Sequence, residues 1–156
     1  MINKNIEVKP TTECRIKAPW HLWLMGFFFI VIYANGVYDY FMMLGHNSNY
    51  YNSKNYGEAV VTYFTNYPIV LLFFYTTNIF CGLITPILLL FRTRWAVWGA
   101  FISAISMLCL DLLTYAFRNR WIVLGPWVSL FDIALLLMTC GLFFYCRALA
   151  KRGVLK

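Results

Sequence analysis

The chain has 156 residues, of which 62% are hydrophobic, 20% aromatic and only 12% charged, with a mean hydropathy of +0.65. Soluble domains carry about 25% charged residues and about half or fewer apolar ones, so a water-facing globule is excluded and lipid is the expected solvent. The formal charge of +7 sits at the ends of apolar runs, without a Gly-rich phosphate loop, zinc-type Cys spacing or a basic face, which argues against nucleic acid.

The N-terminal tail, residues 1–19, carries Lys4, Lys9, Arg15 and Lys17. Basic residues before an apolar run also mark a signal peptide. Here the run Trp20–Leu44 is too long for one, and no small-x-small cleavage site follows it. It reads as a retained first span. Crossing ~30 Å of hydrocarbon takes about 20 apolar residues, and only helices or closed barrels satisfy the backbone there. Within this span the stretch FFFIVIYANGVYDYFMM is interrupted by Asp39, with Asn35 at i−4 and Gly36 beside them.

The segment 45–67, GHNSNYYNSKNYGEAVVTYFTNY, is rich in Asn and Tyr. It reads as a connection lying along the headgroups or as a cap over a cavity, with a short interfacial helix expected at Glu58–Phe64. The second span, Pro68–Phe91, spaces Asn78, Cys81, Gly82 and Thr85 along one face, and Pro86 frees the Gly82 carbonyl. Arg92-Thr93-Arg94 forms a tight turn into the third span, Trp95–Phe117. There Ala96, Ala100, Ala104 and Asp111 share a face flanked by Gly99 and Ser103, a small-residue stripe suited to close helix packing. A short connection leads to the fourth span, Pro126–Leu149, which holds Asp132. Arg147, Lys151, Arg152 and Lys156 lie at the end. No repeat and no second domain is apparent.

Ten of the thirteen Lys and Arg fall on the side of the tail, the Arg92–Arg94 turn and the C-terminal end. Lys54, Arg118 and Arg120 fall on the other. The positive-inside rule then puts both termini in the cytoplasm, in agreement with an even number of spans. The expected architecture is an all-α membrane protein, a four-transmembrane-helix antiparallel bundle with N-in/C-in topology.

At ~1.5 Å of rise per residue, Asp39 lies roughly 28 Å and Asp111 about 24 Å from the inner face, and Asp132 ~9 Å below the outer one. Three carboxylates on three helices therefore share a level near the outer surface. An Asp at mid-span costs ~2.5–3.5 kcal/mol, against roughly 5–9 kcal/mol gained by the apolar residues of one span. Insertion survives, but each carboxylate should face protein or water. Three readings follow. Asp111 and Asp132 pair with Arg118 or Arg120 and fix helix register. Alternatively Asp39, Asp111 and Asp132, with Asn35 and Asn78, line a site for proton- or cation-linked transport of a small solute. Or the polar stripe docks another membrane subunit, which makes the chain an accessory or structural component.

His21 and His46 belong at opposite faces, so haem and metal ligation are not expected, and no HExxH or CxxC is present. None of the five cysteines lies in the 45–67 loop, and no Asn-x-Ser/Thr sequon occurs. No nucleophile, base and stabiliser converge, so neither an enzyme nor a cofactor is expected.

The segments NGVYDYFM, FRTRWAV and AKRGVL together resemble a family of short four-span bacterial inner-membrane proteins, many of which carry a sugar-transporter label. The resemblance covers nearly the whole chain, with Asp39-Tyr40 and Arg92, Arg94 and Trp95 at its matching positions. It implies a bacterial inner membrane as the setting and brings no catalytic or binding residues with it. The partners expected are the lipid bilayer and a homo-oligomer or larger membrane complex.

Overall fold

The computed structural model describes residues 19–156. The basic tail with Lys4, Lys9, Arg15 and Lys17, and with Cys14, lies outside the described residues. All regular structure among the described residues is helical: α1 (Trp20–Leu44), α2 (Ser48–Ser53), α3 (Glu58–Thr65), α4 (Ile69–Leu90), α5 (Trp95–Phe117) and α6 (Arg120–Lys151). Four of these, α1, α4, α5 and α6, are long and apolar enough to cross a membrane. That is the make-up of a multi-pass membrane protein.

Prolines set three of the helix starts. Pro19 precedes α1, Pro68 precedes α4, and Pro126 begins the long part of α6. Pro lacks an N–H, and the first turn of a helix has no carbonyl to receive one, so the ring is tolerated there. The connection after α5 differs from the loop that hydropathy predicts. Residues Arg120 to Leu124 are helical and continue into the span through Gly125, whose backbone (φ 84°, ψ 166°) is open only to glycine. This break folds a short turn of helix over one end of the bundle.

α1 packs on α4, α4 on α5, and α5 on α6. The small-residue stripe of α5 is buried as its spacing predicts: Ala96, Ala100 and Ser103 are almost wholly covered. Gly99 receives the Thr85 side chain of α4. The opposite faces carry Trp20, Phe27, Ile69, Phe73, Leu112 and Trp127, all exposed. An apolar skin of this extent marks a lipid-facing surface.

The two ends of the bundle are finished differently. At one end the chain after α6 turns back on the α4–α5 turn. Lys156 N–H donates to the Arg92 carbonyl (2.7 Å) and Arg94 N–H to the Lys156 carbonyl (2.8 Å), with Val154 and Leu155 buried beneath. At the other, the loop end, α2 and α3 pack over α1 and the start of α6 through Met43, Tyr51, Tyr63, Phe64 and Leu124. The helix expected at Glu58–Phe64 is α3. The α2 helix is an addition that the Asn-rich sequence conceals, capped by the Asn47 side chain accepting from Tyr50 N–H (3.1 Å).

Candidate functional site

Beneath the α2–α3 segment lies a cavity of about 120 Å³. Asp39 from α1, Asp111 from α5, and Asp132 and Arg120 from α6 all reach its wall, as does Asn78 from α4. The remainder is largely aromatic and aliphatic, including Tyr33, Tyr56, Phe64 and Tyr75. The three carboxylates that depth counting puts at one level therefore meet at one space.

Each carboxylate has a different local arrangement. Arg120 places Nε and Nη2 each 2.8 Å from Asp132 Oδ2, with the two side chains 13% and 14% exposed. The helical turn ahead of Gly125 carries the guanidinium back over the span, which lets residues twelve apart pair. Asp39 accepts a hydrogen bond from the Tyr50 hydroxyl of α2, and the Lys54 ammonium lies over the Tyr50 ring at 5.6 Å. Asp111 is 6% exposed, and its Oδ2 has no hydrogen-bond donor among the described residues.

Two of the expected participants lie elsewhere. Asn35 is exposed, and its Nδ2 donates to the Val31 carbonyl of its own helix (2.8 Å). The wall of α1 runs through Ile32, Gly36, Asp39 and Met43, a stripe of i, i+4, i+7 and i+11 that leaves Asn35 to one side. Arg118 pairs with no carboxylate among the described residues. Its guanidinium donates to the Tyr63 (2.6 Å) and Asn66 (2.9 Å) carbonyls and lies over the Tyr63 ring at 4.3 Å. It holds the end of α3, satisfying carbonyls that a helix terminus leaves open.

At the cavity floor runs a hydrogen-bonded set that links all four long helices. Thr139 Oγ1 donates to the Leu135 carbonyl (2.8 Å), so the Tyr33 hydroxyl, 2.8 Å away, is the donor to Thr139. Ser103 Oγ donates to Asn78 Oδ1 (2.9 Å) and lies 3.3 Å from the Tyr33 oxygen. The Tyr33 ring lies against Gly82, where an added Cβ would collide with it. Sequence reasoning passed over Tyr33. Its signal is depth: thirteen residues beyond Trp20 is roughly 20 Å along the helix, well inside the level where Tyr normally meets headgroups.

In the connecting segment, burial raises the Tyr56 hydroxyl above the ordinary tyrosine range, with Asp39 and Asp132 acting in the same direction. Burial likewise raises Tyr67, with Tyr63 adding to the effect. Both remain protonated at neutral pH. The phenols of Tyr56 and Tyr67 are therefore neutral, and the charged groups on the cavity wall among the described residues are the three carboxylates and Arg120. Among the described residues no three His, Cys, Asp or Glu side chains are grouped closely enough to hold a metal ion. Set against known proteins, the chain matches no family model, no curated protein and no solved structure.

Proposed function

We propose that the protein binds a small cation in the three-carboxylate cavity as part of proton- or cation-linked transport of a small solute. The observation that carries this reading is the charge balance at the cavity wall. Asp39, Asp111 and Asp132 come from three helices, and among the described residues of the wall only Arg120 is a cation. Intramembrane carboxylates are expensive to insert, and an excess of them around a space favours a cationic occupant. The register-fixing role applies to one of the three, Asp132. It leaves Asp111 without an ion pair among the described residues.

The topology we propose is an antiparallel bundle with both termini in the cytoplasm. Contacts between α1 and α4 join Gly26 to Leu90, Tyr33 to Gly82 and Tyr40 to Thr76, so rising numbers on one helix meet falling numbers on the other. The excess of Lys and Arg on the tail and turn side supports the orientation, and the cavity then opens toward the outside. The bacterial inner-membrane setting rests on the resemblance of NGVYDYFM, FRTRWAV and AKRGVL. One bundle encloses only a small space, so a homo-oligomer is the proposed working form, without enzymatic activity.

Proteoliposomes holding an inside-acid pH gradient provide the test. Adding external sodium, potassium or methylammonium is expected to collapse the gradient for at least one cation with the native chain. The Asp111→Asn variant should reduce that rate to the level of protein-free liposomes. Native protein that matches empty liposomes for all three cations would overturn the reading, as would an undiminished rate in the variant.

A further inference from the structure

We infer that the occupant of the cavity is a small organic ammonium ion and not a metal ion; this rests on the cation-binding reading above and gives the cation its chemical class. Asp111 supplies the anchoring charge. Its side chain is more than nine-tenths buried, it lies on the cavity wall, and Oδ2 has no donor among the described residues. A carboxylate so placed gains from a cation that brings its own N–H groups or positive surface. The other two carboxylates are engaged, Asp132 by Arg120 and Asp39 by the Tyr50 hydroxyl.

The same wall suits a bare metal ion poorly. Calcium takes six to eight oxygen ligands and magnesium a near-ideal octahedron, whereas no three metal-ligating side chains among the described residues lie close enough together to hold one ion. A dehydrated ion beside Asp111 would face mostly rings and aliphatic carbon, since Asp39 and Asp132 are already engaged. An alkylammonium reverses that balance. Its charge is spread over methyl or methylene groups, which lose little on leaving water. The rings of Tyr33, Tyr56, Phe64 and Tyr75 then offer apolar contact, and their π faces attract a cation. Size sets the upper limit. At about 120 Å³ the cavity is somewhat smaller than the ~150 Å³ that accepts benzene. That limits the ligand to around five or six non-hydrogen atoms.

Tetramethylammonium is the probe, titrated calorimetrically into the full chain held in nanodiscs. Sodium chloride and tert-butanol, a neutral molecule of similar shape, serve as competitors. Saturable binding is expected that neither competitor displaces at equal concentration, and that weakens at least tenfold in Asp111→Asn. Asp39→Asn, which alters a second wall carboxylate, is expected to weaken binding in the same direction and decides the matter if the first variant does not fold. No saturable binding to the native chain, equal displacement by sodium or tert-butanol, or unchanged affinity in the folded variants would overturn the inference. Sodium-driven flux without tetramethylammonium binding would remove this assignment and keep the transport reading. Binding without flux for any cation would keep the assignment and remove transport.

Discussion

Replacing Arg120 by alanine is expected to destabilise the folded protein by about 3–5 kcal/mol, the largest effect of any single change at the cavity. The guanidinium makes two 2.8 Å contacts with Asp132 Oδ2, and both side chains are mostly buried. Removing it strands a carboxylate among apolar groups while leaving a hole where the long side chain packed. The double replacement Arg120→Leu with Asp132→Leu is expected to recover most of the loss. A buried pair contributes little net stability compared with well-packed apolar residues, and the cost arises from breaking it on one side only. Reversible unfolding in mixed detergent and dodecyl sulfate micelles measures both. Equal stabilities for Arg120→Ala and the native chain would mean that the pair is solvated rather than buried.

Gly82→Ala is expected to lower stability by about 1–3 kcal/mol although it adds a single carbon. The new Cβ would enter the space of the Tyr33 ring. That ring is 2% exposed and is held by its hydroxyl against Thr139, so it has no free direction in which to swing. The accommodation must come from separation of α1 and α4, which also disturbs the contact between the Tyr33 hydroxyl and Ser103. Gly141→Ala is the matched control. Nothing lies within 4 Å of the carbon it adds, and alanine is the better helix former, so it should be neutral or stabilise by up to about 1 kcal/mol. The same unfolding assay reads both variants, and equal losses at the two sites would refute the close approach of Tyr33 to Gly82.

Much of the helical framework is legible in the sequence because lipid leaves the backbone few choices. A run such as Trp95–Phe117 must be a helix if it crosses a bilayer, and residues of small volume at 96, 100 and 103 mark the face that meets a neighbour. The level of Asp39, Asp111 and Asp132 is equally legible, since rise per residue is fixed. Azimuth is less so. Asn35 and Asp39 share a broad face by spacing, yet the cavity wall is narrower than that face and takes only Asp39.

The parts that stayed hidden depend on short elements and on side-chain reach. The helical turn Arg120–Leu124 carries its chain through a glycine conformation that no hydropathy pattern encodes, and only that turn brings Arg120 onto Asp132. Arg118, two residues earlier, instead holds the Tyr63 and Asn66 carbonyls. The return of Gly153–Lys156 onto the Arg92–Arg94 turn is likewise a backbone pairing between distant segments. Local composition around AKRGVL reads only as a basic end. Tyr33 escaped for another reason: in a chain with eleven tyrosines, one at unusual depth draws little notice until its partners on α5 and α6 are known.

Carboxylates from separate helices meet at one space, and pairwise thiol cross-linking measures that meeting most directly. In a chain whose native cysteines are replaced by alanine, Asp39→Cys with Asp111→Cys, and Asp111→Cys with Asp132→Cys, should be joined in membranes by short bifunctional thiol reagents. Asn35→Cys with Asp111→Cys should be joined less readily, because Asn35 lies to one side of the shared wall and a turn below Asp39. Cross-linking of the Asn35 pair as readily as the Asp39 pair, or no joining of either carboxylate pair at any reagent length, would contradict the account.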